Sequence, residues 1–146
     1  MRLISIIRFL IVGILLISVI GIDGCRCMPP VIEWIKVFVD TSDNGTFEDN
    51  EEIQPDPTTS AYIINANLSF QIRIKTREAL SGDDLGKSKV SIQNQPPPIS
   101  IEILDVPEST YKADFTSSNF SVGEYRADII IYSNGVLSVQ SITLKI

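Results

Sequence analysis

Between Asp40 and Glu51 the chain spaces oxygen-bearing residues around one glycine: Asp40, Ser42, Asn44, Gly45, Thr46, Glu48 and Glu51. Six oxygen donors gathered on one short turn suit a hard cation, and calcium takes six to eight of them. Gly45 supplies the positive φ of a sharp turn, which a Cβ would oppose. The flanking segment holds Asp40, Asp43, Glu48, Asp49, Glu51, Glu52 and Asp56 without a Lys or Arg. Like charges packed this closely repel one another, and a divalent ion would relieve the repulsion. The competing reading needs no metal, because Asp, Asn, Gly and Ser also dominate solvated turns.

The spacing resembles that of an EF-hand loop, with Gly45 at the sixth place. The resemblance implies a Ca2+ site made by Asp40, Ser42, Asn44, Thr46, Glu48 and Glu51. Thr46 would give its backbone carbonyl, Glu48 a bridging water and Glu51 both carboxylate oxygens. Phe47 takes the place of the inward-facing apolar residue. Two features depart from the pattern. Ser42 stands where Asp or Asn is usual, which removes a charge and weakens binding. The flanks are not helical either: Val37-Phe38-Val39 reads as a strand, and Gln54-Pro55-Asp56-Pro57 blocks a long helix. The loop is thus similar to EF-hand-like loops that occur without helices in secreted bacterial and archaeal modules.

Composition narrows the chemistry further. The 146 residues include 18 acidic and 12 basic side chains, and no His. Beyond residue 30 the balance is 17 acidic against nine basic. That argues against nucleic acid or anionic lipid as the partner of the folded part. Without His, the commonest general base and transition-metal ligand are missing. The only cysteines, Cys25 and Cys27, lie near the start. The remainder has no thiol nucleophile, internal disulfide or thiolate zinc site. There is no Gly-rich phosphate loop and no nucleophile elbow. We therefore expect no enzyme; an exported carboxylate-based hydrolase is the weak third option.

Residues 1–24 read as an export signal. Arg2 and Arg8 precede an apolar run from Phe9 to Ile22. The run is shorter than the roughly 20 residues of a membrane-spanning helix and suits a signal-peptide core; an uncleaved anchor is the alternative. Ile22-Asp23-Gly24-Cys25 is similar to a lipobox, although Asp23 departs from its small, uncharged residue. That resemblance implies lipid on Cys25, a membrane-anchored lipoprotein and a site of action outside the cytoplasm, at the cell surface or in a periplasm. The plain alternative is a secretory signal with two incidental cysteines. Residues 25–30, ending in Met28-Pro29-Pro30, form a stiff tether.

From residue 31 to 146 the pattern is β. Val31–Val39 makes a first strand, with Trp34 expected in core or edge packing and a ligand platform as the lesser option. Thr58–Ile64 holds a short strand. In Asn67–Thr76, Leu68, Phe70, Ile72 and Ile74 alternate with polar residues, the period of a strand with one buried face. Arg77–Lys89 reads as a loop, and Val90–Ile92 as a strand followed by a rigid proline connection. Ile99–Leu104, Thr110–Phe115, Val122–Tyr132 and Val136–Ile146 complete the set, the last two joined by Asn134-Gly135, a strong hairpin signal. About seven strands predict an all-β, immunoglobulin-like antiparallel β-sandwich. Tyr111-Lys112-Ala113-Asp114-Phe115 followed by Gly123-Glu124-Tyr125 resembles the last third of filamin- and invasin-type Ig-like modules. The resemblance implies a tyrosine corner at Tyr125, and it speaks of fold rather than function.

Two function classes follow. One is a lipid-anchored, calcium-stabilised binding or structural module with a protein or glycan ligand. The other is a periplasmic or surface accessory subunit of a larger membrane or secretion complex. Asn44, Asn67 and Asn119 stand in N-x-[ST] sequons, which matter only where glycosylation machinery exists.

Overall fold

The structure, a computed structural model, describes residues 28–146 except 96, 117 and 118. The expected signal peptide, lipobox and lipidation of Cys25 fall on residues outside those described.

Ten strands run in chain order: β1 (Ile32–Val39), β2 (Glu52–Ile53), β3 (Ala61–Ile63), β4 (Phe70–Thr76), β5 (Lys89–Ile92), β6 (Ile99–Ser100), β7 (Glu102–Asp105), β8 (Thr110–Phe115), β9 (Glu124–Ser133) and β10 (Val136–Lys145). They form two five-stranded sheets, ordered β2-β1-β4-β8-β7 and β3-β10-β9-β5-β6. Taking β1, β4, β5, β7, β8, β9 and β10 as A, B, C, D, E, F and G gives ABED facing CFG, the immunoglobulin-like arrangement. These seven are the strands of four residues or more. β2, β3 and β6 are short additions at the edges. The pairing is antiparallel throughout except for β3, which joins β10 in parallel.

Alternation decides which side chains meet between the sheets. Phe70, Ile72 and Ile74 of β4 are fully buried, as are Ala127, Ile129 and Ile131 of β9 and Val37 of β1. Burying a side chain of this size contributes roughly 1.5–3 kcal/mol. Phe70 stacks on Phe115 with ring centroids 4.9 Å apart, and Phe120 leads from this pair to Tyr125 edge-on at 5.5 Å. The Tyr125 hydroxyl donates to the Ser121 carbonyl at 2.8 Å. A tyrosine near the start of strand F tied to backbone just upstream is the tyrosine corner of Ig-like sandwiches. Two residues on, where antibody domains carry their second Cys, stands buried Ala127. Packing alone holds the sheets together there.

Two expectations change. Ile99–Leu104 is not one strand. The chain leaves the CFG sheet after Ser100 and joins the ABED sheet at Glu102, with buried Ile101 as the pivot. Period-two patterning marks strand faces but not the sheet to which a strand belongs. Arg77–Lys89 is not all loop either, for Gly82–Lys87 forms a short helix, α1. Its six residues are too few for a periodic signal. Trp34 packs half-buried at the edge of the ABED sheet, on its outer face beside Lys36 and beyond the reach of β2. With Phe38, Arg73, Lys75 and Leu104 it lines an open groove of about 640 Å3.

The 40–51 segment is the loop of a hairpin. β2 folds back antiparallel on β1, pairing Val37 with Ile53 and Phe38 with Glu52. The strand ends thus bring the first and last residues of the loop together.

Candidate metal centre

Asp40 follows β1 and is tied to the residue just before β4, its N–H donating to the Ser69 carbonyl at 2.9 Å. Glu51 ends a single 3-10 turn over Asp49–Glu51, immediately before β2. Both acids are buried, at 3% and 5% exposure. A buried carboxylate must find donors, and here the loop supplies them. Asp40 Oδ1 accepts from the Asn44 N–H at 3.1 Å and the Ser42 hydroxyl at 3.3 Å, and Oδ2 from the Gly45 N–H at 2.8 Å. Glu51 Oε1 accepts from the Thr41 N–H at 2.9 Å, the Thr41 hydroxyl at 3.0 Å and the Ser42 N–H at 3.1 Å. Its Oε2 accepts from the Glu48 N–H at 3.1 Å. Gly45 adopts φ +76° and Asp43 φ +54°, so the turn uses left-handed backbone at two places.

Ser42 is the hub: its hydroxyl meets Asp40 and its N–H meets Glu51. The structure therefore brings Asp40, Ser42 and Glu51 together. Asn44 joins through its N–H, while its side-chain oxygen turns to Thr46, accepting from the N–H at 2.8 Å and the hydroxyl at 2.5 Å. Glu48 is exposed and joins Glu51 in a reciprocal capping box, its N–H donating to Glu51 Oε2 at 3.1 Å and its carbonyl accepting from the Glu51 N–H at 3.0 Å. Among the described residues no group of three or more Asp, Glu, His or Cys side chains is placed to hold an ion. A cation here would rest on two acids, with hydroxyl, amide and carbonyl oxygens completing the set. That donor set suits calcium in kind, and two carboxylates match its charge. Asp40 Oδ2 and Glu51 Oε2 each carry one hydrogen bond, leaving acceptor capacity on both.

The Glu51 carboxyl is held below its ordinary range, first by the Glu48 N–H, with Thr41 and Ser42 adding to this and burial opposing it. Its charge is thus favoured by the loop's own donors.

Tertiary neighbours answer part of the acidic excess. Lys36 on β1 meets Glu52 at 2.6 Å. Arg73 on β4 lies over the Phe38 ring at 3.8 Å, donates to the Phe47 carbonyl at 2.6 Å and approaches Asp49 at 3.5 Å. Neither cation lies within the acidic segment, so a count along the chain misses both. The only advance signal was the alternation that puts Arg73 on the outer face of β4. Asp56 is occupied otherwise, accepting from the Thr58 and Thr59 N–H groups in a local turn.

A second carboxylate site escaped the sequence. Asp84, 7% exposed, is the third residue of α1. Its carboxylate accepts from the Ser81 hydroxyl at 2.7 Å and from the Asn134 N–H, fifty residues away, at 3.1 Å. The Ser81 hydroxyl in turn accepts from the Asp84 N–H at the helix start. Fully buried Ser88 closes the other end, donating to the Asp84 carbonyl at 2.8 Å and accepting from the Tyr132 N–H at 3.0 Å. Helix α1 is thereby pinned to the β9–β10 hairpin, whose Asn134 and Gly135 take φ +51° and +77°. A Ser-x-x-Asp pattern was the available signal for the helix start. Nothing in the chain announced Asn134 as its partner.

No protein-family model matches the chain, and comparison with curated proteins and with solved structures gives no match either.

Proposed function

We propose that this chain is an exported, membrane-anchored, Ig-like module of structural or binding role, with calcium bound at the base of its first hairpin loop. The observation that carries the reading is the convergence of buried Asp40 and Glu51 on Ser42. Two buried acids that reach one residue, hydrogen-bonded but, among the described residues, paired with no cation, are where a divalent ion would lower the free energy most. Asp40, Ser42 and Glu51 would hold the ion, and Asn44, Thr46 and Glu48 would complete the shell. The ion would lock the first hairpin to β4 and set the attitude of the outer-face groove beside it. Lipid on Cys25 and a filamin- or invasin-like place among surface modules belong to the same reading. They rest on the lipobox-like residues and on the motif around Tyr111 and Tyr125.

The test is thermal unfolding of the purified chain in calcium and in chelator, repeated on Asp40→Ala and Glu51→Ala. The reading expects calcium to raise the melting temperature of the parent chain and of neither variant. Equal melting temperatures for the parent in both conditions would remove calcium from the proposal. Mass spectrometry of the native N-terminus tests the lipid separately, expecting a diacylglycerol adduct on Cys25.

A further inference from the structure

Two Asn-Gly pairs stand in turns of this chain, Asn44-Gly45 and Asn134-Gly135. In such a pair the glycine nitrogen can close a five-membered ring on the Asn side-chain carbon, because no Cβ restrains the glycine backbone. Closure needs a base for the N–H proton and donors for the charge that develops on the side-chain oxygen. The first hairpin loop supplies both. The Gly45 N–H donates to Asp40 Oδ2 at 2.8 Å, so the departing proton already faces a buried carboxylate. Asn44 Oδ1 accepts from the Thr46 N–H at 2.8 Å and from the Thr46 hydroxyl at 2.5 Å. Two donors therefore converge on the atom that becomes the oxyanion. At Gly45, nothing lies within 4 Å of the place a Cβ would take, so the ring has room to close. The second pair is an internal control. The Gly135 N–H also faces a carboxylate, that of Asp84. Asn134 gives its own N–H to the same carboxylate at 3.1 Å and its Nδ2–H to the Ser133 hydroxyl at 3.4 Å. Among the described residues no donor reaches Asn134 Oδ1. The two pairs thus differ in the oxyanion donors and share the base.

We propose that Asn44-Gly45 is a self-modifying pair, in which the folded loop drives conversion of Asn44 through a cyclic imide to aspartate or isoaspartate. The Gly45 nitrogen bonds to Asn44 Cγ and passes its proton to Asp40 Oδ2. The side-chain oxygen takes the negative charge, held by the two Thr46 donors. When the carbonyl re-forms, the Cγ–Nδ2 bond breaks. The leaving nitrogen takes the proton back from Asp40 and departs as ammonia. Water then opens the imide. Cleavage of the new N–Cγ bond leaves aspartate at position 44, and cleavage of the original peptide bond leaves isoaspartate. Asp40 ends as it began, and the net change is one amide hydrolysed by one water. No ion takes part, so the inference stands apart from the calcium reading. Its consequence is a further negative charge on a segment that has no Lys or Arg.

The full chain, made in a host without glycosylation and purified in mild detergent, is aged at neutral pH in chelator. Peptide mass spectrometry follows the replacement of NH2 by OH at both pairs and separates aspartate from isoaspartate. In the folded chain Asn44 should convert at least about tenfold faster than Asn134. In denaturant, where only local sequence acts, the two rates should converge and Asn44 should slow. Thr46→Val keeps the branched shape and loses the hydroxyl, and it should slow Asn44 about tenfold. Asp40→Asn removes the base and should slow Asn44 at least about tenfold. Neither variant should change the rate at Asn134. An Asn44 rate no faster than that of Asn134, or no faster than in denaturant, overturns the proposal. So does an Asn44 rate indifferent to Thr46→Val. Thr46 is exposed, so its variant keeps the test decisive should Asp40→Asn fail to fold.

Discussion

Asp84 stands alone at the start of α1, whereas Asp40 and Glu51 stand together at the base of the first hairpin loop. All three are acids in a protein interior, and all three accept hydrogen bonds from nearby backbone or hydroxyl groups. Their surroundings differ in one respect. Asp84 has a single charge to satisfy, and Ser81 with Asn134 does so while tying a helix to a hairpin. Asp40 and Glu51 put two like charges on one residue, Ser42. Hydrogen bonds solvate each charge but leave the mutual repulsion in place. A lone acid saturated by donors is a clamp. Two acids that reach one residue through different donors are a clamp that also sets like charges near each other.

Experiments can break that contrast or sharpen it. The largest expected effect is calcium itself. At free calcium about a hundred times the dissociation constant, a one-site ligand adds about 2.7 kcal/mol, on the order of 10 °C in Tm for a domain of this size. That gain should be intact in Asp84→Asn and absent in Glu51→Gln. A gain that also vanished in Asp84→Asn would erase the distinction between the two sites.

Next comes Ser88→Ala. It strands the Tyr132 N–H in the interior, at a cost of about 1–3 kcal/mol. Denaturant titration should show the same loss with calcium and with chelator. Thr41→Val is milder, removing one hydroxyl bond to Glu51 for about 0.5–1.5 kcal/mol. Its loss should be largest in chelator, where that hydroxyl has no ion to share the work.

At neutral pH the last effect is nil, and it grows only in acid. Glu51 and Asp84 are both held below their ordinary values of 4.5 and 3.8. For Asp84 the Ser81 hydroxyl is the main cause and the Asn134 N–H the next. A depressed carboxylate contributes stability that is complete above its unfolded pKa and fades as pH falls through the lower folded one. Stability should therefore be flat above about pH 5 and fall below about pH 4. Calcium should push the acid limb lower in the parent chain and leave it unmoved in Glu51→Gln.

The strands were legible because alternation is a local property. Phe70, Ile72 and Ile74 announced their buried face, and Asn134-Gly135 announced its turn. Tyr125 announced its corner because the motif around it is short. The loop was legible for the same reason, since its twelve residues are contiguous. What failed to show were relations across distance. Lys36 and Arg73 come from strands on either side of the acidic segment's own stretch of chain, and they are paired with Glu52 and Asp49 only after the sheet forms. Asn134 reaches Asp84 only once the hairpin folds over α1.

The residue order by itself determined where strands begin, which of their faces is apolar and where the acids crowd, because each depends on neighbours within a few positions. Tertiary structure alone decided that Ile101 carries the chain between sheets, that two of the crowded acids meet cations, and that Val136–Ile142 of β10 has, among the described residues, a strand on one side only. Those outcomes depend on which strands lie side by side, and that is fixed by packing two faces against each other over the whole domain.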